Sequence, residues 1–332
     1  MSASALHTIR LGMTDLEVSP IAFGAWQLGG GWGEFDADEG IAAIRHARRL
    51  GVNLFDTAQG YGFGASERLL GSALREDLDH RREELVIATK GGLRMTDDGL
   101  VRDSSPAWLR SGVEDSLRAL GIDHIDLYQV HWPDPEVPFA ESAGALQELV
   151  DEGKIRHVGV SNFDAPQMAG FARARPVETL QPPHHLFRRD IEATVLPYCL
   201  EHDVGVLVYG PLAHGLLTGA LDENATFAPD DWRSAAPFFK GDRYRRNIEV
   251  VRELERFASD RLGVSVSRLA IAWALANPVV QVAIVGARSP RHIEDSVAAA
   301  ELELSEADLD AIDRIASGAA PLAGPSPEAM PE

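Results

Sequence analysis

The sequence predicts an α/β fold: a (β/α)8 TIM barrel preceded by an N-terminal β-hairpin and carrying long loops at its C-terminal face. Three observations predict it. Short apolar runs alternate with helix-period segments, the pattern of parallel βαβ units. Eight such runs are present, the number a closed barrel uses with none left over. A polar group, aromatic group or glycine stands at or just past the C-terminal end of each run, where barrel enzymes build their sites. A doubly wound sheet shares the alternation, but no G-x-G-x-x-G follows a strand, which argues against a Rossmann dinucleotide site.

The elements follow in order. Residues 8–12 and 16–18 alternate loosely around Thr14-Asp15 and read as the hairpin. The eight strands are expected at 21–23, 53–55, 85–89, 125–130, 157–160, 178–180, 205–208 and 282–285. Helix-period segments lie at 39–50, 66–74, 106–120, 139–151, 166–172, 191–202 and 247–276. Val113, Leu117 and Leu120 give the i, i+4, i+7 spacing of one buried face. Residues 216–246, after the seventh strand, form a loop long enough to be functional. Residues 317–332 hold four prolines and few large apolar groups and read as a mobile tail. The 332 residues at about 150 per domain would make two domains. A barrel takes about 250 as one, so 1–316 read as a single barrel.

Composition excludes several classes. With 45% apolar and 25% charged residues the chain is neither disordered nor a disulfide scaffold. The formal charge of −20 repels a phosphate backbone, so no nucleic-acid partner is expected, though one small basic pocket is compatible with it. The one cysteine, Cys199, precludes an intrachain disulfide, and a reducing, cytoplasmic setting is expected. Residues 1–10 lack the basic-then-apolar pattern of a secretory signal, and no stretch approaches about 18 uninterrupted apolar residues, so no membrane span is expected.

The chemistry sits at the strand ends. Strand one is followed by Gly24, Ala25 and Trp26; strand two by Asp56 and, five residues on, Tyr61. Strand three ends in Lys90 and strand four in His131. Alone, Asp56 could cap a turn, Lys90 be solvated and His131 be a satisfied core imidazole. On neighbouring strands at one barrel end they make a set. A buried lysine needs an acidic partner, and Asp56 is the candidate. An ammonium beside Tyr61 would lower a phenol pKa of about 10 toward neutrality. His131 could orient a carbonyl oxygen, and the four together suit protonation of an oxygen while hydride reaches its carbon. The aromatic residues Trp26, Trp32, Phe63, Trp132, Phe238 and Phe239 lie in loops of this face and are expected to line a largely uncharged substrate pocket. His184, His185, His202 and His214 lack tight ligand spacing, so no metal is expected.

Several motifs resemble the aldo-keto reductase superfamily over nearly the whole chain. Asn53-Leu54-Phe55-Asp56-Thr57-Ala58, followed by Tyr61-Gly62, is similar to the family's N-x-F-D-T-A-x-x-Y-G signature. Residues 125–134, Ile-Asp-Leu-Tyr-Gln-Val-His-Trp-Pro-Asp, resemble its fourth-strand motif, and Gly153-Lys154-Ile155-Arg156 with Val158-Gly159-Val160-Ser161-Asn162-Phe163 its fifth. Tyr209-Gly210-Pro211-Leu212-Ala213 with Gly215 points to the bacterial and potassium-channel-β-like branch. The resemblance implies that Tyr61 is the general acid in reduction, tuned by Lys90 and Asp56, with His131 orienting the carbonyl. It implies NADP(H) as cofactor. Gly24, Ala25, Trp26 and Asp56 would border it; Ser161, Asn162 and Gln181 would hold the nicotinamide amide and Tyr209 would stack on the ring. Gly210, Pro211, Leu212, Ala213 and Gly215 would line the pyrophosphate, with Arg233 reaching in from the long loop. Gly286, Arg288, His292, Asp295 and Ser296 fall where the family binds the adenosine ribose and its 2′-phosphate. Departures from the branch are His292 for glutamine, Ser296 for asparagine, Ala220 for lysine and Gly210 for serine. Ser289-Pro290 reads directly as an N-cap and first helical residue, a phosphate-binding helix start beside Arg288. The expected function is NADP-dependent reduction of aldehydes or ketones. The alternatives are a sugar or polyol dehydrogenase working oxidatively and a cofactor-sensing binding subunit, which need not keep a proton-transfer histidine.

Overall fold

A computed structural model describes residues 6–33 and 35–322. It opens with the hairpin β1 (Ile9–Arg10) and β2 (Glu17–Val18). Then follow β3 (Ile21–Gly24), α1 (Ala37–Arg49), β4 (Leu54–Asp56), α2 (Ala65–Ala73), α3 (Arg75–His80) and β5 (Val86–Gly91). A second hairpin, β6 (Leu93–Thr96) and β7 (Gly99–Arg102), interrupts the alternation. The chain continues with α4 (Pro106–Leu120), β8 (Ile125–Val130), α5 (Phe139–Asp151), β9 (Ile155–Ser161), α6 (Ala165–Ala172), β10 (Thr179–Gln181), α7 (Val195–Glu201) and β11 (Gly205–Tyr209). Last come α8 (Gly241–Phe257), α9 (Val266–Leu275), β12 (Val282–Gly286), α10 (Pro290–Val297) and α11 (Glu306–Ala316). Strands β3, β4, β5, β8, β9, β10, β11 and β12 pair in parallel and close as a barrel, β12 joining β3. The predicted (β/α)8 architecture is therefore the observed one.

Period-2 alternation divides the strands into two cores. Leu54, Val86, Ala88, Leu127, Leu207 and Val282 pack together inside the barrel over Leu11, Leu16 and Val18 of the hairpin segment. Phe55, Ile87, Tyr128 and Val158 face the helical layer. The hairpin thus caps the N-terminal end, which leaves the C-terminal end for the site.

Three of the predicted segments differ in the structure. Residues 247–276 are not one helix: α8 starts at Gly241, ends in a π-turn over Ala258–Leu262, and Gly263 at φ 67° breaks it. Ser265 then caps α9, its hydroxyl accepting from Arg268 N at 3.1 Å. The helix expected from 191 begins only at Val195, after a 3₁₀ turn over Asp190–Glu192. Of the tail, Leu322 is buried and its N–H donates to Phe187 O at 2.9 Å; the expectation for residues 323–332 lies outside the described residues. No described helix is long and apolar enough to cross a membrane.

The hairpin turn is tied to the barrel by His157, which bridges Asp15 (Nε2–Oδ1 2.7 Å) and Glu178 (Nδ1–Oε1 2.7 Å). Burial opposes charge on this imidazole, but the hydrogen bonds to Glu178 and Asp15 outweigh it and raise its pKa. A raised folded-state value contributes stability that is complete below the unfolded value of about 6.5 and is lost as pH rises through the folded one. The wild type is expected to lose urea resistance over that window, and His157→Gln to lose less. Parallel pH dependence in the two proteins would remove the bridge from the account.

Candidate active site

Four side chains from three strand ends and one loop converge. Lys90 Nζ on β5 donates to Asp56 Oδ2 on β4 at 2.6 Å, to Thr57 O at 3.0 Å and to Tyr61 Oη at 3.4 Å. Lys90 is 1% exposed and Asp56 3%. Each would be costly to bury alone, and together they are charge-balanced and hydrogen-bonded. Gln181 at the end of β10 donates to the other Asp56 oxygen at 2.8 Å. The loop bearing Tyr61 prolongs the sheet before turning: Thr57 N donates to Ala88 O and Gln59 N to Lys90 O, both at 2.9 Å. It then passes against the segment after β3, so closely that a Cβ on Gly62 (φ 66°) would lie 2.4 Å from Gly29 O.

His131, just past β8, packs edge-on to the Tyr61 ring at 5.6 Å between centroids. Burial, and then the Lys90 charge, push its pKa well below the usual imidazole value, so it stays neutral. Asn162, in the left-handed region at φ 63°, links this group to β11. Its Nδ2 donates to His131 O and its Oδ1 accepts from Tyr209 Oη, both at 2.9 Å. Chemically, the quartet offers a phenolic hydroxyl, an ammonium able to stabilise negative charge on its oxygen, and a neutral imidazole.

A cavity of about 720 Å³ extends from Asp56, Tyr61 and His131 across the ends of β9 to β12. Gly24, Trp26 and Trp32 line one wall, and Ser161, Asn162, Gln181 and Tyr209 the floor. Gly210, Pro211, Leu212 and Gly215 follow, and then Gly286, Arg288, His292, Asp295 and Ser296. Arg233 reaches the cavity from the long loop, held by a two-pronged pair to Asp231 (Nη2–Oδ2 2.6 Å, Nε–Oδ1 3.0 Å). Arg288 donates to Trp32 O, and Arg291 lines the same region. Ser289 does cap α10 with Pro290 as its first residue, but its side chain makes no capping bond; His292 N donates to Ser289 O at 3.2 Å.

Some predicted residues stand elsewhere. Phe63 and Trp132 do not line the cavity. Phe63, between two glycines and itself at φ 45°, is 39% exposed. Trp132 is covered by the Arg102 guanidinium of the second hairpin, 5.4 Å from its ring. Phe238 and Phe239 pack on Trp232 instead of the cavity. Ala25 and Ala213 are fully buried behind the wall, and Lys90 lies behind Asp56 and Tyr61. Sequence reading missed Gln27, His214, Arg291, Ser265 and Ser267, all on the cavity. His214 packs on Trp232 at 5.1 Å, and burial with the nearby Arg188 and Arg233 lowers its pKa to about 3. Ser265 and Ser267, from the start of α9, both donate to Asp295 Oδ2 at 2.6 Å. Among the described residues no three His, Cys, Asp or Glu side chains are grouped as a metal site.

The comparisons agree with this geometry. The chain is 43% identical over 282 residues to the aldo-keto reductase YhdN of Bacillus subtilis, covering 85% of each protein. It is 34% identical to the NADH-specific methylglyoxal reductase of Escherichia coli, covering 91% of this chain and 96% of that protein. Among solved structures, it resembles the glycerol dehydrogenase AKR11B4 from Gluconobacter oxydans with a TM-score of 0.85 and 40% identity, over 96% and 98% of the two chains. The model of the Aldo/keto reductase family matches residues 20–317, a span holding every strand of the barrel and all four side chains of the quartet, and the chain belongs to that family.

Proposed function

We propose that the protein is an NADP-dependent carbonyl reductase that converts aldehydes or ketones to alcohols, with Tyr61 as proton donor. The observation that carries this reading is Lys90 Nζ, 2.6 Å from Asp56 and 3.4 Å from the Tyr61 oxygen, at the edge of a cavity lined farther along by Arg233, Arg288 and Arg291. One region can handle a proton and another can meet phosphate charge, as a phosphorylated dinucleotide requires. When bound, the nicotinamide supplies the hydride.

The chain's own residues do the rest. Tyr61 gives its hydroxyl proton to the carbonyl oxygen, and the Lys90 ammonium stabilises the phenolate left behind. Asp56 holds Lys90 in place, with Gln181 fixing the second carboxylate oxygen. Neutral His131 donates a hydrogen bond to the substrate oxygen without competing for the proton. Ser161, Asn162 and Gln181 would hold the nicotinamide amide, and the Tyr209 ring would lie against it. Arg233, Arg288 and the start of α10 would hold the phosphates. Trp26 and Trp32, 4.8 Å apart and edge-on, would border the substrate.

For NADP over NAD, the support is that Arg288 and Arg291 share the cavity with His292 and Ser296, while Asp295 is occupied by Ser265, Ser267 and Arg268. Arg288→Ala is expected to raise the KM for NADPH about tenfold, the loss of one charge-assisted contact of about 1.5 kcal/mol, and to change that for NADH far less. Equal losses for both cofactors would take Arg288 out of the 2′-phosphate role. The likeness to a glycerol dehydrogenase favours a second reading, oxidation of a polyol at the same site with Tyr61 as base. A cytoplasmic setting accords with a buried, unpaired Cys199.

A further inference from the structure

The Asp56–Lys90 pair is gripped from behind by the first turn of α2. Asp56 and Lys90 face the site, so the residues next to them, Thr57 and Thr89, face the helical layer. The outward positions before these, Phe55 and Ile87, are apolar and pack in the outer core. Thr57 and Thr89 instead meet two consecutive polar residues of α2. Thr57 Oγ1 lies 2.9 Å from Ser66 Oγ, which itself donates to Ala25 O at 2.8 Å. Thr89 Oγ1 donates to Glu67 Oε1 at 2.7 Å. The same turn also holds the loop of the phenol, Ser66 N donating to Tyr61 O at 3.2 Å. Thr57, Ser66, Glu67 and Thr89 are all 0% exposed. Apolar side chains would fill this layer without the desolvation cost of three hydroxyls and a carboxyl. What the polar groups add is direction: each fixes a backbone unit next to one member of the pair.

We propose that Ser66 and Glu67 are positioning residues, which set the separation of Asp56, Lys90 and Tyr61 through Thr57 and Thr89. The proposal rests on the proton-transfer reading above. The carboxyl of Glu67 faces Thr89 on β5, Ser116 and Asp115 on α4 and its own neighbour Arg68. Burial raises its pKa, outweighing the opposing hydrogen bonds and the Arg68 charge.

Thr89→Val keeps the shape and removes the tether. Misplacing the ammonium by a fraction of an ångström is expected to lower kcat between about tenfold and a hundredfold. The cofactor Kd, read by fluorescence titration, should stay within about twofold. With Lys90 less able to stabilise the phenolate, the rise of alcohol oxidation with pH should move to higher pH. Thr89→Ser should restore the wild-type profile. Ser66→Ala, which cuts the Thr57 tether, should shift the profile the same way and serves if Thr89→Val does not fold. A melting temperature that drops while the pH profile and kcat per folded molecule stay unchanged would overturn the proposal. Tyr61→Phe, assayed alongside, separates the two claims. Full turnover in that variant sinks the proton-donor reading, whereas an inactive Tyr61→Phe beside an unshifted Thr89→Val sinks the positioning role alone.

Discussion

Tyr61→Phe is expected to lower kcat by between about 10²- and 10⁴-fold, the range that one positioned proton donor supplies. The hydroxyl is the one group removed, and it accepts a hydrogen bond from Lys90 Nζ at 3.4 Å. The ring keeps its packing against Trp26, 6.0 Å away and near-parallel, and against His131. Cofactor affinity and melting temperature should therefore hold. A loss in kcat and kcat/KM together would mark an interaction made only in the transition state. A rise in KM with kcat intact would mean that Tyr61 only binds substrate. His131 is a poor substitute as the acid, because burial and the Lys90 charge push its pKa well below the usual imidazole value and disfavour its protonated form.

Lys90→Met carries the largest expected stability effect. It leaves Asp56, 3% exposed, without its cation, and breaking a buried pair costs about 3–5 kcal/mol. Urea unfolding should show that loss, and turnover should fall as well because the phenolate loses its stabilising charge. The double variant Asp56→Asn/Lys90→Met should recover much of the stability. A neutral amide there still accepts from Gln181, whose Nε2 lies 2.8 Å from the Asp56 oxygen. It should recover none of the activity. Equal stability of Lys90→Met and the double variant would mean that the stranded Asp56 charge is not the source of the loss.

The eight strands and the quartet were legible because both rest on local pattern. The run at 125–130 coincides with β8, and the helices at 106–120 and 139–151 coincide with α4 and α5. Asp56, Lys90 and His131 follow directly from where those strands stop. The hairpin β6–β7 escaped because Arg94 and Met95 are exposed, so it has no apolar run, although Asp98-Gly99 is a turn signal. Helix α11 also carried a signal that was passed over, the Ser305–Asp308 capping box. The pocket was less legible for a different reason. Phe63 and Trp132 sit close in sequence to Tyr61 and His131, yet backbone conformation turns one out and Arg102 covers the other. Ser265, Ser267 and His214 reach the cavity from a helix start and a left-handed turn, through contacts that no local pattern encodes.

Direct hydride transfer between a nicotinamide and a carbonyl at Tyr61 leaves a label in the product. It is tested most directly by mass spectrometry of the alcohol formed from an aldehyde and NADPH deuterated at its transferring carbon. The wild type is expected to place one deuterium on the carbinol carbon of the product, and Tyr61→Phe to give almost no product. An alcohol without deuterium, or equal labelled product from both proteins, would contradict it.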